Sequence, residues 1–310
     1  MTIADIATRF TEIHSPHEFQ EFEDVVEVYQ REHCQVYRRF GYKYLPVEAF
    51  KHTDVVTFPP TDAEKVFLSS STGGKDRSRH YVRYASIYEA SVTTLFASVF
   101  GQGPFTIWAY LPDYAQESSL VSMMKILMHH YGGDQSQFFL GNALPNITLD
   151  APPLVFFGAA FGLLDLAAND DTFLPDSARI VETGGMKTHR REITRRELHV
   201  QLAEGFGIPV HQVWSEYGMC ELLSQAYAQG GPIYYPPPWM RVEVVDPEDP
   251  NHLLPEGRQG LLAVTDLANL YTVSNLLTED LGVKRGDGFE VLGRQSGTAL
   301  RGCNFLLDQP

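Results

Sequence analysis

The run Leu154-Val155-Phe156-Phe157 constrains this chain most. It is apolar at every position, so residues 153–158 read as a strand of the fully buried type. Apolar residues nearly all round make 161–168 a short helix, and 178–182 is the next strand. Thr194-Arg195-Arg196-Glu197 is a capping box that opens a helix running to Gly205. Another strand follows over 210–214, and Leu222 to Tyr227 reads as helix-like. Upstream, 66–68 is a short strand, a helix carries Tyr88, Val92, Leu95, Phe96 and Val99 on one side, 105–111 is a buried strand, and 120–131 is a helix. Strands alternating with helices define an α/β body whose ligand site is expected outside the carboxyl ends of its strands. Pro236-Pro237-Pro238 forbids both helix and central strand. Beyond it, short strands over 240–245, 261–265 and 289–292 predict a small antiparallel subdomain. Before the body, the stripe Phe19, Phe22, Val26, Tyr29, Val36 and Tyr37 predicts a helix over 19–40, and 44–60 is extended. The expected organisation is a lead-in over 1–60 packed on the body, the α/β body over 61–235, and a β-rich subdomain over 236–310.

The formal net charge of −15 argues against a nucleic-acid backbone as partner, though not against one anionic nucleotide held by local donors and a metal. Cys34, Cys220 and Cys303 are odd in number, far apart and form no Cys-x-x-Cys. Neither a disulfide framework nor a zinc site fits them, and free thiols in a reducing cytoplasm do. Residues 1–11 are polar, with no signal-peptide pattern, and no run of about 18 apolar residues would span a membrane.

Three stretches carry candidate chemistry. Ser69-Ser70-Ser71-Thr72-Gly73-Gly74-Lys75 follows the strand at 66–68. Small residues let backbone N–H groups approach a polyphosphate, hydroxyls add donors, and Lys75 or Arg77 adds charge. It is not a Walker A loop, and a flexible surface loop fits its composition as well. Thr183-Gly184-Gly185 ends another strand and suggests close backbone approach by a ligand. Tyr217-Gly218-Met219-Cys220-Glu221 offers a ring to stack on a base, backbone room for a phosphate, and an oxygen ligand for Mg²⁺. Its bland alternative is a turn with a buried Tyr and a surface Glu. Arg190, Arg191, Arg195 and Arg196 form a basic cluster, either a solvated helix start or a contact for phosphate or an acidic partner. His129-His130 read as a pair near a helix end rather than ligands.

These stretches, with Leu277-Thr278-Glu279-Asp280 and Gly293-Arg294 after them, resemble in order the motifs of the adenylate-forming superfamily of acyl-CoA synthetases and adenylation domains. Phe67 to Ser70, Glu182 to Lys187, Ser215 to Met219 and Arg301-Gly302-Cys303-Asn304 look like the acyl-protein synthetases of bacterial bioluminescence. The resemblance implies an adenylate-forming N-terminal-type body with stacked α/β sheets and a small antiparallel β subdomain, without the superfamily's mobile C-terminal domain. It implies ATP and Mg²⁺, a fatty or other carboxylic acid as substrate, and transfer of the acyl group to a cysteine thiol, with an acyl-accepting or reductase protein as partner. Ser69, Ser70, Thr72, Gly73, Gly74 and Lys75 would wrap the phosphates. Gly184 and Gly185 would line the adenine, with Tyr217 stacked on it and Gly218 beside it. Asp280 would take the ribose hydroxyls, Arg294 would contact ribose or phosphate, and Glu221 would hold Mg²⁺.

The chain departs from that pattern at three places. Ser71 and Gly73 alter the phosphate loop, and Cys220 replaces the usual Thr before the metal-binding Glu, exchanging a hydroxyl for a weak thiol donor. Cys303, beside Arg301, is a candidate acyl acceptor, since a thiolate attacks a mixed anhydride readily; a buried small hydrophobe is the alternative. Two other functions stay open: an acyl- or aryl-CoA ligase, and a degenerate nucleotide-binding scaffold.

Overall fold

The computed structural model describes residues 1–70, 77–141, 143–148, 150–169, 173–184 and 193–295. The chain begins with α1 (Ile3–Arg9), α2 (Pro16–His33), α3 (Gln35–Phe40), β1 (Leu45–Pro46), α4 (Ala49–His52), β2 (Lys65–Leu68), β3 (Arg79–Val82) and α5 (Ala85–Phe100). Next come β4 (Thr106–Tyr110), α6 (Ser119–Tyr131), β5 (Gln137–Phe139), β6 (Leu154–Ala159), α7 (Ala160–Asn169), β7 (Arg179–Thr183), α8 (Arg195–Phe206) and β8 (Val213–Tyr217). The last strands are β9 (Ala226–Gln229), β10 (Ile233–Tyr234), β11 (Met240–Val245), β12 (Gln259–Asp266), β13 (Asn275–Arg285) and β14 (Gly288–Arg294). They form two compact units: residues 1–94, 219–225 and 235–295 make the first, 95–218 and 226–234 the second. No helix among the described residues is long and apolar enough to cross a membrane.

The first unit brings residues 1–94 together with 235–295. Helix α2 starts where it does because Ser15 Oγ accepts from the Glu18 N–H (3.2 Å) and Pro16 has no N–H to satisfy. Its buried face of Phe19, Phe22 and Val26 ends at Gln30, whose amide is fully used. Gln30 Nε2 donates to the carbonyls of Asn269 (2.8 Å) and Leu270 (3.2 Å). Its Oε1 accepts from Ser274 N (2.9 Å) and Ser274 Oγ (3.0 Å). Strands β11 to β14 form an antiparallel sheet, and β1 adds to β13 in parallel, Leu45 opposite Leu276 and Pro46 opposite Leu277. Pro46 is tolerated because β1 is a two-residue edge strand. Strand β13 has no counterpart among the strands expected from sequence. Its well-buried positions include Thr278, Asp280 and Gly282, while Leu277, Glu279 and Leu281 are half-buried, so the usual alternation is inverted.

The second unit is an α/β layer. Its sheet has the order β5-β4-β6-β7-β8-β9, parallel throughout except for β9, which runs antiparallel to β8. Every position of β6 is buried, as its unbroken apolar run requires. Phe156 and Ile180 of the sheet pack with Leu163 and Leu166 of α7 and Leu198 and Leu202 of α8. The capping box of α8 is formed: Thr194 Oγ1 accepts from Glu197 N (3.2 Å) and Glu197 Oε2 from Thr194 N (2.8 Å). Gly207, at φ 68°, ends the helix in the left-handed region.

Four expectations are corrected. The helix expected over 19–40 is interrupted at Cys34, whose extended backbone (φ −93°, ψ 104°) separates α2 from α3, and the stretch over 44–60 expected to be extended contains the short helix α4. The strand placed over 210–214 lies at Val213–Tyr217, because Pro209 leads into a 3₁₀ turn over Val210–Gln212. The helix-like run over 222–227 is no helix. The N–H groups of Leu223 and Ser224 donate to the buried Asp266 carboxylate (3.0 and 2.9 Å), which takes the place of helical acceptors, and the chain enters β9 at Ala226.

Candidate functional site

In the second unit the candidate residues stand at the carboxyl ends of β7 and β8, where an open parallel sheet presents its ligand site. The two strands pair in register, Glu182 opposite Ser215 and Thr183 opposite Glu216. Gly184 follows β7 with φ 102°, a conformation that favours glycine. Tyr217 closes β8; it is buried, and its ring meets Tyr234 edge-on with centroids 5.8 Å apart. Gly218 is exposed, and the chain passes from one unit to the other just after it.

Behind these positions lies a buried polar network. Arg195, the first residue of α8, donates to Glu182 and lies over the Tyr234 ring at 5.1 Å. His199 Nε2 is 2.8 Å from Ser215 Oγ and 3.8 Å from Glu182 Oε1. Burial opposes the charge of Glu182, but Arg195, with His199 and Ser215, holds its carboxyl below the ordinary range. Thr183 Oγ1 hydrogen-bonds Glu216 Oε2. Burial pushes the Glu216 carboxyl up to about 7 against that bond, and the neighbouring Glu182 adds to the rise. Burial also raises Tyr234, although Arg195 opposes it.

In the first unit, the stem of the hydroxyl-rich loop is closed between β2 and β3. Ser69 N donates to Ser78 O (3.1 Å), Ser78 N to Ser69 Oγ (2.8 Å), and Arg77 Nε to Ser69 O (2.7 Å). Ser69 is buried and Ser70 half-buried. One step along β3, buried His80 meets the Cys220 carbonyl through Nδ1 (2.8 Å) and Thr272 Oγ1 through Nε2 (3.2 Å). Burial lowers His80 to about 4, so it is neutral there. Cys220 is buried, with Sγ 3.9 Å from the Ser78 carbonyl. Burial, and then the Glu221 charge, hold its thiol well above its ordinary pKa. Glu221 is buried too; burial raises its carboxyl, opposed by Ser78 and by Arg294. Asn269 Nδ2 fixes its backbone by donating to the Glu221 carbonyl (2.9 Å). Asp280 and Arg294 face each other across β13 and β14, and Arg294 Nε donates to Asp280 Oδ1 (3.2 Å).

Each unit therefore gathers a subset of the candidates. Gly184 and Tyr217 are joined through the Thr183–Glu216 bond, and Asp280 and Arg294 through their ion pair. Glu221 and Cys220 lie against Ser78 in the closed stem that also holds Ser69. Thr72, Gly73, Gly74, Lys75, Gly185 and Cys303 lie outside the described residues, as does Ser71.

No protein-family model matches the sequence, and no curated protein matches it. Solved structures do. 2-Hydroxyisobutyryl-CoA ligase in the postadenylation state, in complex with 2-HIB-AMP, aligns with a TM-score of 0.64 at 12% identity, covering 97% of this chain and 70% of that one. Its open conformation, in complex with 2-HIB-AMP and CoA, gives 0.59 at 13% identity over 90% and 75%. ATP-bound MatB from Rhodopseudomonas palustris gives 0.51 at 17% identity over 77% of this chain and 49% of that one. The fold is that of the adenylate-forming enzymes. The chain spans about half the length of MatB (49%).

An adenylate-forming fold carries the expectation of Mg²⁺, and Glu221 fits it. Among the described residues no group of three or more His, Cys, Asp or Glu side chains could hold a metal. Mg²⁺ does not need one, since it commonly takes one or two carboxylates and completes its shell with water and substrate phosphates. A single carboxyl whose charge is disfavoured by burial suits that role.

Sequence reasoning did not find Glu182, Glu216, His199, His80 or Asp266 as a group. Arg195 was visible as a residue of the capping box and as one of a basic cluster, either a solvated helix start or a contact for phosphate or an acidic partner. Its partner is internal, 13 residues earlier in the chain.

Proposed function

We propose that this chain is an AMP-forming ligase that activates a carboxylic acid with ATP and passes the acyl group to a thiol, its own Cys303 or that of a partner protein. The observation that carries this reading is the order of five motifs on an adenylate-forming fold, one solved relative of which holds 2-HIB-AMP. A carboxylate oxygen bonds to the α-phosphorus of ATP as pyrophosphate leaves. A thiolate then attacks the acyl carbonyl, and AMP leaves with the electron pair of the broken anhydride bond. Neither step asks the protein for covalent chemistry beyond the accepting thiol, so positioning and charge neutralisation dominate.

The chain's own groups serve those ends. Ser69 sets the stem of the phosphate loop, and Ser70, Thr72, Gly73, Gly74 and Lys75 supply its donors. Gly184, Gly185, Tyr217 and Gly218 take the adenine. Asp280, oriented by Arg294, receives the ribose hydroxyls. Glu221 would hold Mg²⁺, which when bound neutralises phosphate charge. A fatty acid is the favoured substrate and a reductase the favoured acceptor partner, both on the resemblance to the acyl-protein synthetases.

A CoA ligase is the second reading, favoured by the 2-hydroxyisobutyryl-CoA ligase likeness. Intact-mass spectrometry after incubation with ATP, Mg²⁺ and mixed carboxylic acids separates the two. With Cys303 as acceptor, the first reading expects an added acyl mass on the chain that Cys303→Ser abolishes; with a partner thiol as acceptor, it expects acid-dependent AMP release without CoA. CoA-dependent turnover that survives Cys303→Ser would establish the second.

A further inference from the structure

Two buried glutamates lie one register step apart at the ends of β7 and β8, Glu182 opposite Ser215 and Glu216 opposite Thr183, in different surroundings. Glu182 is bonded to Arg195, with His199 Nε2 3.8 Å away. Glu216, across the strand pair from Thr183, bonds the Thr183 hydroxyl and, among the described residues, no cation. The other titratable groups about it are Tyr217 next along β8, Tyr227 opposite it on β9, and Tyr234 on β10. The Arg195 guanidinium is already engaged by Glu182 and the Tyr234 ring.

A second anion beside Glu182 in this buried place is costly. Burial, with the Glu182 charge added, keeps a proton on Glu216 up to about pH 7, against the Thr183 bond. A protonated carboxyl can both donate and accept, so it bonds a hydroxyl without importing charge. The location gives the bond its consequence. Thr183 immediately precedes Gly184, and Glu216 immediately precedes Tyr217.

We propose that Glu216 is a positioning residue: a buried carboxyl whose bond to Thr183 fixes the two strand ends that present Gly184 and Tyr217 to the nucleotide. The nucleotide in this statement rests on the proposed function; the carboxyl's role in joining the strand ends does not. The sign of the linkage follows from the raised pKa. Between the ordinary value of 4.5 and about 7 the folded protein holds a proton that the unfolded chain has lost. The stability contributed is therefore complete below that window and is lost as pH rises through it.

Glu216→Gln keeps the shape and the hydrogen bond and cannot ionise. Melting temperature and ATP affinity by calorimetry, each at about pH 6 and about pH 8, test the proposal on the full chain. If the protonated form is the one competent to bind, wild-type affinity for ATP falls about tenfold between those values. Glu216→Gln removes that fall and flattens the melting profile over the same range. ATP itself titrates nearby, so the variant supplies the reference. Glu216→Ala is expected to bind weakly at both values; should it fail to fold, the Gln comparison stands alone. Wild type and Glu216→Gln sharing one pH profile in both measurements would overturn the proposal. A flattened melting profile with no ATP binding by either protein would overturn the proposed function and leave the strand-joining carboxyl in place.

Discussion

Each unit holds a buried carboxylate, Glu182 in the second and Glu221 in the first, and the two are held in opposite ways. In the second, Glu182 is matched by an arginine from the first turn of α8, and its carboxyl lies below the ordinary range. In the first, Glu221 has a hydroxyl residue and the charge of Arg294 for compensation, and Arg294 is itself bonded to Asp280. Its carboxyl lies above the ordinary range. A carboxylate balanced from within braces the fold. One whose charge the protein compensates incompletely is suited to a cation that comes with substrate. Asp266 is a third case: burial raises its carboxyl, yet it accepts from the Leu223, Ser224 and Ala268 N–H groups and from Ser224 Oγ (2.6 Å), so its oxygens are filled from within and it anchors the fold.

Replacing one partner on each side sharpens that contrast. Arg195→Ala should have the largest effect, because it strands the Glu182 charge in the interior. A loss of about 3–5 kcal/mol in unfolding free energy is expected by denaturant titration. A loss under about 1 kcal/mol would mean that the pair does not brace the α/β layer. Glu221→Gln should act the other way on stability. The folded-state pKa of Glu221 is raised, so its charge weighs against the fold once pH exceeds its unfolded value. The variant should melt no lower than wild type at acid pH and higher at about pH 8, while acid-dependent turnover falls by about 100-fold or more. A variant that is destabilised at every pH yet fully active would place Glu221 with Glu182 as a brace.

Much of this architecture was legible in the sequence, and the gaps have physical causes. Residues 240–245 form the strand expected of them, and the capping box at Thr194 is real because both of its hydrogen bonds are local. Strand β6 announced itself through an unbroken apolar run. Strand β13 did not, since it buries Thr278 and Asp280 while Leu277 and Leu281 are half-buried. Leu222 to Tyr227 misled because the backbone donors of Leu223 and Ser224 are taken by a side chain 43 and 42 residues away, Asp266. The candidate residues were legible only as motifs, most of them short stretches next to strand ends, with Leu277 to Asp280 inside β13. Their supporting network was not. Glu182 with Arg195, and Thr183 with Glu216, are set by strand register and by how α8 packs, neither of which leaves a period in the sequence.

The central claim is that a carboxylic acid and ATP react on this chain with release of pyrophosphate. Acid-dependent exchange of labelled pyrophosphate into ATP tests it most directly, because it reads the first step without needing the acceptor thiol. Exchange that requires Mg²⁺ and a carboxylic acid, survives Cys303→Ser and falls with Glu221→Gln is the predicted result. Folded protein that shows no exchange with any acid across short, long and aromatic chains would contradict it.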